Sequence, residues 1–283
     1  MSTSAGSALT GPTSRPGVLA WTSTGTGTGA SRGTIGLLHG VMSSAGSWWK
    51  VGPALAERGW EVTAVDLPGH GDGASIASPV DPVGALVKGT LPNLGRHLDL
   101  LVGHSLGAVV ALAAANRDPR LASALLLEDP PGIRGMDRSL FADGVVALRE
   151  AALADRDAYW RQSRLSHPLW QDADVDQSVA ALIACDAGEV ARALRGGLDW
   201  DLCELIAGVD VPVMVVLAPE VEGAIPVIQG SALVGEERRA VRALLGSERL
   251  VEMEGGHSLH RDHPEEMTEI IDRFAGEVTG SAR

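Results

Sequence analysis

From Thr34 onward, short and nearly continuous apolar runs alternate with stretches whose apolar residues recur every three or four positions. The runs at 34–39, 60–66, 98–104, 121–128, 211–217 and 249–254 suit strands covered on both faces of a parallel sheet. Between them, helical periodicity spans 47–58 up to Gly59, 106–117 up to the turn before Pro119, and 236–245 up to Gly246. A last helix begins at Pro264, with Glu265 and Glu266 in the first turn, where the helix dipole favours negative charge. Residues 81–95 are predicted helical too, although Gly84, Gly89 and Pro92 interrupt the period.

Strand and helix in alternation is the pattern of βαβ units, and it predicts an α/β fold with a mostly parallel central sheet flanked by helices. Residues 1–33 are dominated by Ser, Thr, Gly and Ala, and Val18-Leu19-Ala20-Trp21 is their one apolar knot. A flexible tail with room for one short edge strand is expected there. Residues 132–205 break the alternation with helical patterns at 140–154 and 179–184, so they are expected to form a helical lid insertion. The core would then comprise 34–131 and 206–278, with no internal repeat.

At 283 residues, 45% hydrophobic and 21% charged, the chain has the material for one large domain around a buried sheet. Its net charge of −13 would repel phosphate backbones and anionic lipid, which excludes nucleic acid as an expected partner. Cys185 and Cys203 are too few for a disulfide framework and lack zinc-site neighbours, so they read as packing or surface thiols. The longest apolar stretch, 98–115, is broken by Asp99, His104 and Ser105 and cannot span a bilayer. The N-terminal residues carry no basic region followed by an apolar one, and a cytoplasmic location is expected.

Gly103-His104-Ser105-Leu106-Gly107 lies between an apolar run and a helical one, the context that a G-x-S-x-G nucleophile elbow requires. Such a turn is tight; its glycines make room for neighbouring backbone, and the serine hydroxyl is presented at the carboxyl end of the sheet. The backbone N–H of Leu106 then faces a developing oxyanion. With this motif the chain resembles the α/β-hydrolase superfamily. Leu37-Leu38-His39-Gly40 resembles the family strand whose following loop supplies the other oxyanion donor, which implies Val41, with Met42 second. Asp66-Leu67-Pro68-Gly69-His70-Gly71 resembles the family's Asp-x-x-Gly-His-Gly loop, and His70 reads as structural. Gly255-Gly256-His257-Ser258 follows the last strand and resembles the loop that carries the general base, so His257 is taken as the base for Ser105. His260 and His263 recur at metal-like intervals, but a glycine-led loop running into Pro264 does not hold the three on one helical face. No metal or cofactor is expected.

The acid is where the chain departs from the commonest family pattern. After 211–217 the residues are Ala218-Pro219-Glu220-Val221-Glu222, with no Asp. The preceding strand ends Leu127-Glu128-Asp129-Pro130, and its stretch resembles an arrangement in certain haloalkane dehalogenases and zearalenone lactonases. Glu128 is therefore the first candidate, followed by Glu220 or Glu222 and then Asp129, because a triad is defined by geometry and not by chain position. A carboxylate that does not serve is expected as a helix cap or a solvated loop charge.

Tyr159, Trp160, Trp170 and Trp200 fall in the insertion, and Trp48 and Trp49 follow the oxyanion loop. They either roof the nucleophile or pack the insertion onto the core. The resemblance implies a serine hydrolase acting on an ester or lactone of a small, largely apolar molecule. Natural-product tailoring, carbon–carbon hydrolysis, perhydrolysis and a non-catalytic small-molecule receptor share the same scaffold. A dehalogenase would need a carboxylate in place of Ser105. The oligomeric state, including a homo-oligomer, is left open.

Overall fold

The computed structural model describes residues 13–22, 31–76, 81–95, 97–133, 137–221 and 230–280. In chain order the strands are β1 (Thr13–Arg15), β2 (Val18–Trp21), β3 (Thr34–Leu38), β4 (Glu61–Val65), β5 (Leu100–His104), β6 (Leu125–Glu128), β7 (Val213–Leu217) and β8 (Leu250–Glu252). The α-helices are α1 (Val51–Glu57), α2 (Pro82–Leu94), α3 (Leu106–Arg117), α4 (Arg138–Ala154), α5 (Arg156–Ser166), α6 (Asp172–Ala184), α7 (Ala187–Gly197), α8 (Leu202–Ala207), α9 (Gly235–Leu245), α10 (Leu259–Asp262) and α11 (Pro264–Thr279). The strands form one sheet in the order β1-β2-β4-β3-β5-β6-β7-β8; the β1–β2 and β2–β4 pairs at one edge are antiparallel and the other pairs are parallel.

Strand periodicity divides the core. Ile35 and Leu37 of β3, with Leu100 and Val102 of β5, face Val51 and Leu55 of α1 and Ile271 and Phe274 of α11. Leu38 and Leu101 face the other way, onto Leu86 of α2, Leu112 of α3 and Val241 of α9. Because both faces are covered, the strands read as continuous apolar runs. Helix α3 is buried from Leu106 to Ala115, and its alanines let it lie close against the sheet.

The six strands expected from the apolar runs are present with frayed ends, but 1–33 is more than a tail. Among its described residues, β1 and β2 form a hairpin, and β2 pairs with β4 through Val18–Val65 and Trp21–Val62. Trp21 is buried against the α1 face, and that burial explains why an otherwise polar stretch joins the sheet. The helix expected at 47–58 divides into a 3-10 turn, Ala45–Trp48, and α1. Helix α2 forms despite its glycines and Pro92, with the Asp81 carboxylate capping it through Gly84 N–H. Helices α4 to α8 occupy the chain between β6 and β7, where the insertion was expected. No described helix is long and apolar enough to cross a membrane.

Candidate active site

The site is built where β5 and β6 end. His104 is in register with Glu128 as the last ladder pair, so Ser105 and Asp129 are each the first residue beyond it. Both turn sharply, with φ of 52° at Ser105 and 42° at Asp129, values that L side chains seldom adopt. The bends are held from outside: Ser105 N–H donates to Glu128 O at 2.9 Å and Asp129 N–H to Val216 O at 2.7 Å. A Cβ on Gly103 would lie 2.4 Å from Gly107 O, and one on Gly107 would lie 2.6 Å from Leu38 O. The elbow therefore needs both glycines.

His257 is 8% exposed, and its Nδ1 lies 2.6 Å from Asp129 Oδ2. The Asp129 carboxylate is fully buried and accepts three further hydrogen bonds, from Ser231 Oγ at 2.6 Å, Ala232 N–H at 2.8 Å and Ala218 N–H at 3.2 Å. With only donors around it, the group is set up as an acceptor that keeps the proton on His257 Nδ1 and leaves Nε2 as the basic nitrogen. Ser105 Oγ makes no hydrogen bond among the described residues; such bonds commonly close only when substrate is present.

Glu128, ranked first as acid, is instead turned to His260. Its Oε1 accepts from His260 N–H at 2.9 Å and Nδ1 at 2.8 Å, and Oε2 lies 3.0 Å from Nδ1. The reason is strand geometry: successive side chains point to opposite faces, so neighbouring carboxylates at a strand end cannot meet the same imidazole. Burial raises the Glu128 carboxyl and lowers the His260 imidazole well below its usual value. Glu220, the second candidate, is exposed and accepts from Gly235 N–H at 2.9 Å, at the start of α9. Glu222 lies outside the described residues.

Behind His257, His104 Nε2 donates to the His257 carbonyl at 2.9 Å, and the His260 ring stacks on Trp48 with centroids 4.3 Å apart. His104, Glu128 and His260 have potential metal-ligating atoms within 4.8 Å of one another, a different set from the spaced histidines of the sequence. His104 Nε2, His260 Nδ1 and both Glu128 oxygens are engaged in the hydrogen bonds just described, which orient the His257 loop, whereas His260 Nε2 is buried without a hydrogen-bond partner among the described residues. That loop is also fastened by Asp262, whose Oδ2 accepts from Gly256 N–H at 2.7 Å.

The oxyanion candidates lie beside Ser105. Val41 and Leu106 line the same cleft as the serine, and among the described residues neither N–H donates to a protein acceptor. Met42 adopts a φ of 59° in the same turn. His39 secures the turn from beneath: Nδ1 donates to Gly40 O at 2.7 Å, and Nε2 accepts from Leu67 N–H at 2.9 Å. Burial lowers its pKa to about 4, so it is neutral with a defined tautomer. His70 is likewise buried, lowered to about 3 and bonded to Pro68 O, away from the nucleophile.

The cleft above Ser105 is walled by Pro131 beyond the end of β6 and by Ile133, Phe141, Leu194, Leu198 and Trp200 from the chain between β6 and β7. Of the aromatic residues weighed as a canopy, Trp200 takes that place, with its Nε1 donating to Pro131 O at 3.0 Å. Tyr159, Trp160 and Trp170 pack with Val175 and Val179 in a separate small core. Trp49 fastens the insertion, its Nε1 donating to Asp174 Oδ1 at 2.9 Å, beside Lys50 Nζ, which is 2.5 Å from Oδ2.

Residues 37–270 match the profile of the Alpha/beta hydrolase family. The chain belongs to that family. It is 26% identical over 250 residues to a 2-succinyl-6-hydroxy-2,4-cyclohexadiene-1-carboxylate synthase of Serratia proteamaculans, covering 84% of this chain and 91% of the relative. A pimeloyl-[acyl-carrier protein] methyl ester esterase of Neisseria meningitidis serogroup B is 28% identical over 249 residues, again covering 84% and 91%. The enol-lactonase from Burkholderia xenovorans LB400 shares the fold with a TM-score of 0.64 at 19% identity, over 90% of this chain and 94% of that one.

Proposed function

We propose that this alpha/beta hydrolase family member hydrolyses a carboxylic ester or lactone of a small, largely apolar molecule, with Ser105 as nucleophile, His257 as general base and Asp129 as the acid. The observation that carries the reading is the juxtaposition, one residue beyond the β5–β6 ladder, of a positive-φ serine and a buried aspartate bonded to His257 Nδ1. Ser105 Oγ attacks the carbonyl carbon while His257 Nε2 takes the hydroxyl proton. The N–H groups of Val41 and Leu106 receive the oxyanion, and Asp129 stabilises the imidazolium. As the tetrahedral intermediate collapses, the C–O bond to the leaving group breaks and that oxygen takes the proton from His257. Water, deprotonated by His257, then attacks the acyl-enzyme and releases the acid and free Ser105. Helices α4 to α8 act as the lid, placing Phe141, Leu198 and Trp200 over the nucleophile and favouring apolar groups.

Similarity to a protein named as a synthase over 84% of this chain favours, as a second reading, a non-hydrolytic step on the same triad. The test is a time course with p-nitrophenyl butyrate and a panel of γ- and δ-lactones, run on wild type, Ser105→Ala and His257→Ala, with fluorophosphonate labelling in parallel. Ser105-dependent turnover is expected. Labelling of Ser105 with no turnover of any ester or lactone would move the second reading ahead, and loss of both would overturn the nucleophile itself.

A further inference from the structure

Among the described residues, the cleft over Ser105 is lined by apolar side chains apart from Ser105 itself and one cation. Arg138, the first residue of α4, is the charged side chain among its described lining residues, facing a wall that includes Leu194, Leu198 and Trp200. Its Nη1 donates to Leu198 O at 3.2 Å, and the nearest carboxylate oxygen, Asp199 Oδ2, is 3.5 Å away. A charge-assisted hydrogen bond closes to about 2.7–2.9 Å, so Asp199 holds the guanidinium loosely. With side chains 38% and 67% exposed, the pair is screened by water and easily exchanged. A guanidinium offers five donors in a planar fork, and the Leu198 carbonyl occupies one direction of it. In a chain of net charge −13, attraction for an anion has to come from a local group such as this one.

We propose that Arg138 is a specificity residue that anchors a carboxylate: the substrate is a half-ester or related acyl compound whose carbonyl sits at Ser105 and whose carboxylate reaches Arg138 across an apolar tether. One guanidinium matches one carboxylate, and the aliphatic and aromatic walls match the tether. The inference rests on Ser105 being the nucleophile, and Arg138 takes no part in the chemical step.

The test is calorimetric binding to full-length Ser105→Ala of monomethyl esters of straight-chain dicarboxylic acids of graded length, each compared with its neutral dimethyl ester. At least one half-ester is expected to bind roughly tenfold more tightly than its diester, as a charge-assisted pair supports, and to lose that margin in added salt. Arg138→Gln should abolish the preference and Arg138→Lys should retain part of it. Asp199→Asn, which removes the competing carboxylate, should increase it, and this arm decides the matter if Arg138→Gln folds poorly. A diester that binds as tightly as every half-ester, or a preference that survives Arg138→Gln, would overturn the proposal. Wild-type hydrolysis of the neutral diester is followed separately, so failure of the hydrolase reading is visible on its own.

Discussion

Replacing Asp129 by Asn tests which carboxylate serves His257. The structure surrounds the Asp129 carboxylate with donors: Ala232 N–H and His257 Nδ1 at Oδ2, and Ser231 Oγ and Ala218 N–H at Oδ1. An Asn amide must place its NH2 against one of those backbone N–H groups, whichever way it flips. If the NH2 faces His257, the ring is driven to the tautomer with hydrogen on Nε2, which cannot accept the Ser105 proton. The corresponding change in a serine protease triad lowers kcat by ~10⁴-fold, and a loss of ~10³- to 10⁴-fold, ~4–5.5 kcal/mol of barrier, is expected here. A buried donor facing a donor also costs ~1–3 kcal/mol of stability. Glu128→Gln differs, because its amide oxygen can still accept from His260 N–H and Nδ1, leaving only the 3.0 Å contact at Oε2 changed. Its kcat is expected to stay within ~10-fold of wild type, matching the ~0.5–1.5 kcal/mol of one ordinary hydrogen bond. The assay is kcat and KM for p-nitrophenyl butyrate, with thermal melts to score only folded protein. Equal losses in the two variants, or an Asp129→Asn enzyme within tenfold of wild type, would refute the assignment.

Three further outcomes are expected. Gly107→Ala puts a Cβ 2.6 Å from Leu38 O and 2.7 Å from His39 O, both backbone; it should cost ~1–3 kcal/mol in urea unfolding and abolish Ser105 labelling. Burial depresses His39 to about 4 and His70 to about 3, and lowers His104 and His260. Their contribution to stability is therefore complete above the unfolded value of ~6.5 and declines as pH falls from there, by up to ~1.4 kcal/mol per pH unit for each histidine. Glu128, raised by burial, offsets part of this; melts from pH 8 to pH 4, roughly bracketing the ~6.5 value, should fall on the acid side, and a flat profile would contradict it. Asp174→Ala removes the buried partner of Lys50 and Trp49 and should cost ~3 kcal/mol, with hydrogen exchange accelerating first in α6.

What the sequence determined by itself was whatever depends on local chemistry and period. Two-face burial left its mark in the apolar runs of β3, β5 and β7, and the elbow was legible because Gly103 and Gly107 have to be glycine for their neighbours' backbone to fit. The His257 loop was legible from its glycines and its place after the last strand. The hairpin at β1–β2 was only half visible, since its one strong signal, Trp21, acts through a long-range contact with the α1 face. The acid was beyond local reading. Glu128 and Asp129 are adjacent carboxylates at the end of one apolar run, and only the β5–β6 register and the bend at φ 42° decide which one meets His257 and which is buried against His260. Arg138 needed the tertiary structure for the same reason: a first-turn arginine on a helix is ordinary until Leu194, Leu198 and Trp200, distant in sequence, wall the apolar cleft that it shares with Ser105.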